Sequence, residues 1–360
     1  MAELLKNKYT KAYMYSLAHK MKQSYKEFDD ENFINAIFND MWNEMELKER
    51  MRHIALMLSD FIPLSYAEQL AVLKPVSKDF YSLEAMFFQD FVEVFGLDDF
   101  ENSMQALELF TVESSSEFAI RQFIIKYEAQ TMAQMKIWAK SENEHVRRLA
   151  SEGCRPRLPW AVALQDFKKD PSHVFEIIEL LKNDACEYVR KSVANNLNDI
   201  SKDNTDLVLD FVKNNLGVSK ELDWICKHGS RTLLKQGNKT ILKLFGFHKS
   251  DHVHVRNFTH DKVLCLNETL TFSFELSSKE SIGDVRVEYA IDYLKSNNSH
   301  NRKIFMISQN EIKSSSKSFS KKQSFKNMTT RKHYAGKHYI SVLINGEEKV
   351  KSEFLLQKEI

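Results

Sequence analysis

Residues 145–160 read HVRRLASEGCRPRLPW and crowd several side chains capable of chemistry into one short stretch. Arg148 and Glu152 are four apart, so on a helix both project from one face while Val146, Leu149 and Ala150 take the other. Gly153 is expected to stop that helix. Arg147, Arg148, Arg155 and Arg157 lie within eleven residues, interleaved with Pro156, Pro159 and Trp160. Fork-shaped guanidinium groups on a stiff turn suit phosphate contacts. A plainer account fits the same pattern: an exposed ion pair worth under about 1 kcal/mol, followed by a tryptophan anchored in a core.

Two further stretches carry carboxylates. In VESSSEFAIRQFI (112–124) the serines read as a helix cap and Glu117 falls in the first turn, where a negative charge complements the helix dipole. In YVRKSVANNLNDISKD (188–203), Asn195 and Asp199 share a face with Lys191, and Asp199 equally suits a cap for the next turn. A scaffold that only bound nucleic acid would have no use for three acidic groups on a basic face, since each repels phosphate. That rival, a non-catalytic helical-repeat scaffold, is therefore the weaker one. A metal-dependent nuclease is a third, separable by its sensitivity to EDTA.

The elements that must position these residues change character along the chain. To about residue 247 apolar residues recur at helical spacing, and all five prolines lie in this part. ENFINAIFNDMWNEM (31–45) and LKERMRHIALMLSDFI (47–62) read as consecutive amphipathic helices. HVRRLASEG (145–153) overlays YVRKSVANN (188–196) at an offset of 43 residues, the period of a HEAT or armadillo unit. WICKHGSRTLLKQGN (224–238) looks like one more repeat with a Gly-Asn stop. Beyond about 250 the pattern becomes short alternating stretches at 269–278, 285–294, 303–307, 338–344 and 351–356, with Asn345-Gly346 as a hairpin signal. The expected architecture is an all-α HEAT-like solenoid over 1–247 and a small all-β immunoglobulin-like sandwich over 248–360. The Lys- and Ser-rich stretch 313–338 is expected to be a long mobile loop, and His252 and His254 to be linker residues.

Composition narrows the class. With 43% hydrophobic and 28% charged residues the chain is expected to fold throughout. Cys154, Cys186, Cys226 and Cys265 are too far apart for a C-x-x-C pair, which points to reduced thiols and no zinc or redox centre. No signal-type or membrane-length apolar run occurs, so a cytoplasmic protein without membrane insertion is expected. The net charge of +1 conceals 11 Lys/Arg against 19 Asp/Glu in residues 1–110, leaving the remainder strongly positive. A polyanion would be drawn to the later part.

The blocks SSEFAIRQFI, HVRRLASEGCRPRLPWA, YVRKSVANNLNDISKD and WICKHGSRTLLKQGN, in this order, closely resemble the AlkC-type DNA glycosylases of bacterial alkylation repair. VEYAIDYLKSN (287–297) and SFKNMTTRKHYAGKHYISVLINGE (324–347) resemble the family's C-terminal domain, so the likeness spans about residues 110–350. It implies a monomer acting on double-stranded DNA that contains cationic alkylated bases, principally 3-methyladenine, with no cofactor or metal. It further implies catalytic roles for Glu152, Glu117 and Asp199, and lesion-facing roles for Trp160, Arg148 and Phe118. DNA contacts are implied for Arg147, Arg155, Arg157, Arg190, Lys191 and Arg231, and for Arg331, Lys332 and His333 in a clamping loop around a Tyr-Ala-Gly turn.

Overall fold

The computed structural model describes residues 4–328 and 331–358. The chain forms two compact units: the part up to Asn204 together with Asn215–Gly229, and Thr205–Asn214 together with the part from Ser230 onward.

Local capping sets the helix starts of the first unit. The side chains of Thr10, Asp29, Asp99 and Asn143 each accept a backbone N–H in the first turn that follows. Glu46 with Glu49, and Ser65 with Glu68, form reciprocal capping boxes. The two helices expected near the amino end are Asp30–Ile37 and Leu47–Asp60. The first ends at Ile37 rather than at 45, and just beyond it the Asn39 Oδ1 takes the Met41 N–H into a turn. Their apolar faces meet at Phe33 and Phe61, whose rings lie edge to face at 5.6 Å.

The 43-residue offset is a structural repeat. Helices Glu144–Gly153 and Glu187–Ile200 leave N-cap residues, Asn143 and Cys186, with the same backbone of φ −83° and ψ 124°. Arg147 Nη1 donates to the Ser141 and Glu142 carbonyls, and Arg190 Nη1 to those of Asp184 and Ala185. Arg147 also holds the Asp184 carboxylate through Nε at 2.6 Å and Nη2 at 3.1 Å, tying one repeat to the turn that opens the next. Val146, Leu149 and Ala150 are buried, as are Val189, Val193, Ala194 and Leu197. Each large aliphatic side chain buried this way contributes about 1.5–3 kcal/mol. Gly153 does not act as a left-handed helix stop. It is the last helical residue, and a Cβ there would meet Ile120 Cγ2 at 2.7 Å, so its role is close approach.

From Ser230 the second unit continues with short helices. Arg231–Lys235 ends in the expected Gly-Asn stop: Gly237, at φ +69°, donates to the Leu234 carbonyl and Asn238 to that of Leu233. Asn238 then caps Lys239–Leu244 by accepting the Ile241 N–H. Among the described residues eight strands follow: β1 (His254–His260), β2 (Val263–Cys265), β3 (Thr269–Ser277), β4 (Gly283–Leu294), β5 (His300–Ile312), β6 (Ser316–Ser324), β7 (Gly336–Ile344) and β8 (Glu347–Gln357). They make two sheets, β1-β3-β6 and β2-β8-β7-β4-β5, around one core that includes Phe272, Phe274, Val287, Ile291, Val342 and Phe354. Asn345 and Gly346, at φ 50° and 76°, close the β7–β8 hairpin as their residue types require.

Two expectations fail here. The supposed mobile loop contains β6, paired with β3 from Thr269↔Ser324 to Ser277↔Ser316. Its lysines and serines suit a sheet edge, where charge discourages pairing with another chain. His254 is not a linker residue, since it opens β1; His252 does lie in the turn before that strand, with a ring nitrogen 3.2 Å from the Ile282 carbonyl oxygen. No helix among the described residues is long and apolar enough to cross a membrane.

Candidate active site

Glu152 and Asp199 occupy the final turns of the two repeat helices, where the helix dipole opposes a carboxylate. A cation must offset each. Arg155, three residues beyond Glu152, places Nη1 at 2.5 Å from Glu152 Oε1 and Nε at 2.8 Å from Asp199 Oδ2. Lys202 Nζ reaches Asp199 Oδ1 at 3.1 Å. On the other side Arg148 bonds directly to Glu117 through Nη1 and lies 3.6 Å from Glu152 Oε1 through Nη2. The result is an alternating ladder: Glu117, Arg148, Glu152, Arg155, Asp199, Lys202. Hydroxyls complete it, with Ser192 Oγ donating to Glu152 Oε2 at 2.6 Å and Ser115 Oγ to Glu117 Oε2 at 2.6 Å.

Accessibility falls along the ladder. The carboxylate side chains are 15%, 7% and 3% exposed for Glu117, Glu152 and Asp199 in turn. Burial alone would lower the pKa of Arg148, but Glu117 and Glu152 outweigh it and the net shift is upward. Arg155 behaves likewise between Glu152 and Asp199. Both guanidinium groups therefore stay charged.

A third, fully buried arginine braces the loop that follows. Arg121 donates through Nη1 to the Gly153 and Arg155 carbonyls at 3.0 and 2.8 Å, and through Nε to that of Val162 at 2.7 Å. Burial pushes its pKa down to about 10. Within this loop Trp160 sits at φ +63°, a left-handed conformation that costs a bulky residue about 1–3 kcal/mol and persists where surrounding structure over-determines it. Its side chain is no core anchor, because the residue is 64% exposed. Phe118 is half-buried, with the Lys48 ammonium 4.3 Å from its ring centre. Tyr188 lies 5.0 Å from the Arg148 guanidinium carbon.

Comparison with known proteins places this geometry. Residues 102–241 match a family described as DNA alkylation repair enzyme, and residues 254–358 match the C-terminal Ig-like domain of uncharacterised protein YhaZ. The uncharacterized protein YhaZ of Bacillus subtilis (strain 168) is 43% identical over 352 residues, covering 97% of this chain and 98% of that one. The Pseudomonas fluorescens alkylpurine DNA glycosylase AlkC, solved bound to DNA containing an abasic site analog, superposes with a TM-score of 0.93 at 36% identity, over 99% of this chain and 100% of that one. The chain belongs to the AlkC-type DNA alkylation repair family.

Within this AlkC-type chain the expected residues divide by what they touch. Glu117, Arg148, Glu152 and Asp199 converge in the ladder. Glu117 arrives from the turn before helix Ile120–Lys126 and not from a helical first turn, because the preceding helix runs on to Glu113. Arg155, expected as a DNA contact, is buried with its guanidinium spent on Glu152 and Asp199, so it holds carboxylates in place of phosphate. Arg147 and Arg190 brace turns. Arg157 is paired with Asp203 at 2.9 and 2.7 Å, and Lys191 with Glu187 at 2.8 Å, both toward solvent.

In the second unit Arg231 heads a short helix and is half-buried. The Arg331 guanidinium lies 6.0 Å from the Tyr293 ring and the exposed Lys332 6.0 Å from that of Tyr334. His333 departs from expectation: it is buried against Phe325 at 5.0 Å and Tyr293 at 5.4 Å. Burial, followed by the Arg331 charge, pushes its pKa down to about 4, so it is a neutral core group and not a surface cation.

Arg121, Ser192, Tyr188 and Lys48 are the residues that sequence reasoning missed. Arg121 left one signal, a charge set among apolar neighbours in IRQFI. The others left none, since their partners are distant in the chain.

Proposed function

We propose that the chain is a monofunctional DNA glycosylase of base excision repair. It hydrolyses the N-glycosidic bond of cationic alkylated bases in kinked double-stranded DNA, principally 3-methyladenine, with 3-methylcytosine and 1-methyladenine as minor substrates. The helical part, residues 1–247, carries catalysis, and the immunoglobulin-like part, 248–360, clamps DNA. The protein acts as a cytoplasmic monomer at the nucleoid. The observation that carries this reading is the carboxylate ladder of Glu117, Glu152 and Asp199 beside the exposed Trp160, in a chain homologous throughout to an alkylpurine DNA glycosylase.

The chemistry asks little of such a site. A methylated base that already carries positive charge departs as a neutral molecule, so no strong acid is needed. What must be stabilised is the cation developing at the anomeric carbon, and fixed carboxylates in a preorganised, partly dry setting do this without reorganising. Glu152, which lies at the centre of the ladder, supplies the field. Glu117, the most accessible of the three, orients the water. Trp160 and Phe118 meet the base or its sugar, where a cation–π contact is worth about 0.5–2 kcal/mol and favours the methylated cation over a normal purine.

The test is incubation with methylated DNA and chromatography of the released bases. The wild-type chain is expected to release 3-methyladenine and leave an abasic site without strand cleavage. Glu152→Gln should lower the rate by about a hundredfold or more, as loss of one preorganised electrostatic partner does elsewhere. Release of no methylated base by the wild type would end the glycosylase reading; an undiminished Glu152→Gln would end the assignment of the ladder.

A further inference from the structure

We propose that Lys48 is a positioning residue for the aromatic pair Phe118 and Trp160, supplied by the amino-terminal part of the chain. The inference rests on the glycosylase reading above for what the pair does, and on geometry alone for the positioning.

Lys48 is the second residue of helix Leu47–Asp60, whose first turn is closed by the Glu46 and Glu49 capping box. A lysine there faces the positive end of the helix dipole, which is unfavourable by about 0.3–1 kcal/mol. Helix formation gives no reason for it. Its ammonium donates at 2.8 Å to the Trp160 carbonyl, 112 residues along the chain. The same group stands 4.3 Å from the Phe118 ring centre. One cation thus touches both aromatic residues, one through its backbone and one through its ring face.

The contact matters because of where Trp160 is. Its indole is exposed and its φ is +63°, so neither burial nor backbone preference holds it. Arg121 secures the loop on both sides, at the Arg155 and Val162 carbonyls, and Lys48 secures Trp160 itself. Fixing the backbone that carries an exposed side chain before it meets DNA reduces the ordering cost at binding. The matched repair-enzyme segment begins at residue 102, so this device comes from a part of the chain outside it.

The test compares Lys48→Met, which keeps the aliphatic stem but loses the charge and the donor, with Lys48→Arg, which keeps both. KM and kcat are measured for 3-methyladenine release, and acrylamide quenching of Trp160 is taken as the difference between each protein and its Trp160→Phe counterpart. Lys48→Met is expected to raise KM about tenfold with kcat within about threefold, and to make Trp160 more easily quenched; Lys48→Arg should restore both. In a Trp160→Ala background Lys48→Met should add nothing to KM, since coupled residues are not additive. Wild-type KM and quenching in Lys48→Met would overturn the proposal, as would an undiminished loss in the Trp160→Ala background. If the wild type releases no methylated base, the glycosylase reading falls separately and quenching alone decides: a changed value in Lys48→Met upholds the positioning, an unchanged one removes it.

Discussion

The two repeats that start at Glu144 and Glu187 share a skeleton and differ in nearly everything that faces the ladder. Arg147 and Arg190 bond corresponding pairs of preceding carbonyls, those of Ser141 and Glu142 and those of Asp184 and Ala185. One position later the geometry is the same but the outcome is opposite. Arg148 turns to Glu117 and Glu152 with a side chain only 14% exposed, whereas Lys191 stands in solvent at 55% and pairs with Glu187. Glu152 is replaced at the 43-residue offset by Asn195, and the core residue Leu149 by Ser192, whose hydroxyl reaches back to Glu152. Residues that recur with the period satisfy the backbone carbonyls every repeat must satisfy. Chemistry gathers where the period is broken.

The severest way to break this contrast is Arg155→Met. It removes the cation shared by two buried carboxylates, leaving Glu152 to Arg148 and Asp199 to Lys202, and removing one partner of a buried ionic group costs about 3–5 kcal/mol. Urea denaturation should show that loss, and Asp199→Asn in the same chain should recover part of it. A single variant within about 1 kcal/mol of wild type would mean the ladder is not an energetic unit. Ser192→Ala is milder. Losing a hydrogen bond to a charged group costs about 1.5–3 kcal/mol, and with Glu152 less firmly held, base release should slow by about tenfold. Equal activity in Ser192→Ala would separate the hydroxyl from the site.

The contrast also explains what could be read before the fold was known. The helix start at Leu47 was legible because it is set locally, by the Glu46 and Glu49 pair acting within three residues of itself, whereas the helix expected to open around Glu117 begins only at Ile120. Asn345-Gly346 was legible for the same reason. The three carboxylates stood out by type and motif, and the fold does bring them together. Which arginines would be buried was not legible, because Arg155 and Arg157 differ by two positions in one turn yet one lies buried between two carboxylates and the other is partly exposed on a single one, Asp203. His333 looked like part of a basic loop because its neighbours are cationic, whereas its ring belongs to an aromatic core assembled from β4 and the Phe325 segment. β6 was hidden by having Phe319 as its one large apolar residue, so alternation could not announce a strand.

The smallest effects give the sharpest reading of the periodic positions. Lys191 is attached to nothing buried, so Lys191→Ala should leave the melting temperature unchanged. If Lys191 meets a phosphate when DNA binds, the slope of log affinity against log salt should fall by about one for that substitution. Arg190→Ala, one residue away, should do the reverse. Its guanidinium is committed to the Asp184 and Ala185 carbonyls, so stability should drop while the salt slope holds. Equal changes of slope in the two variants would show that the period-bound arginine also serves DNA, and the division between scaffold and contact would then run through single side chains and not between neighbouring ones.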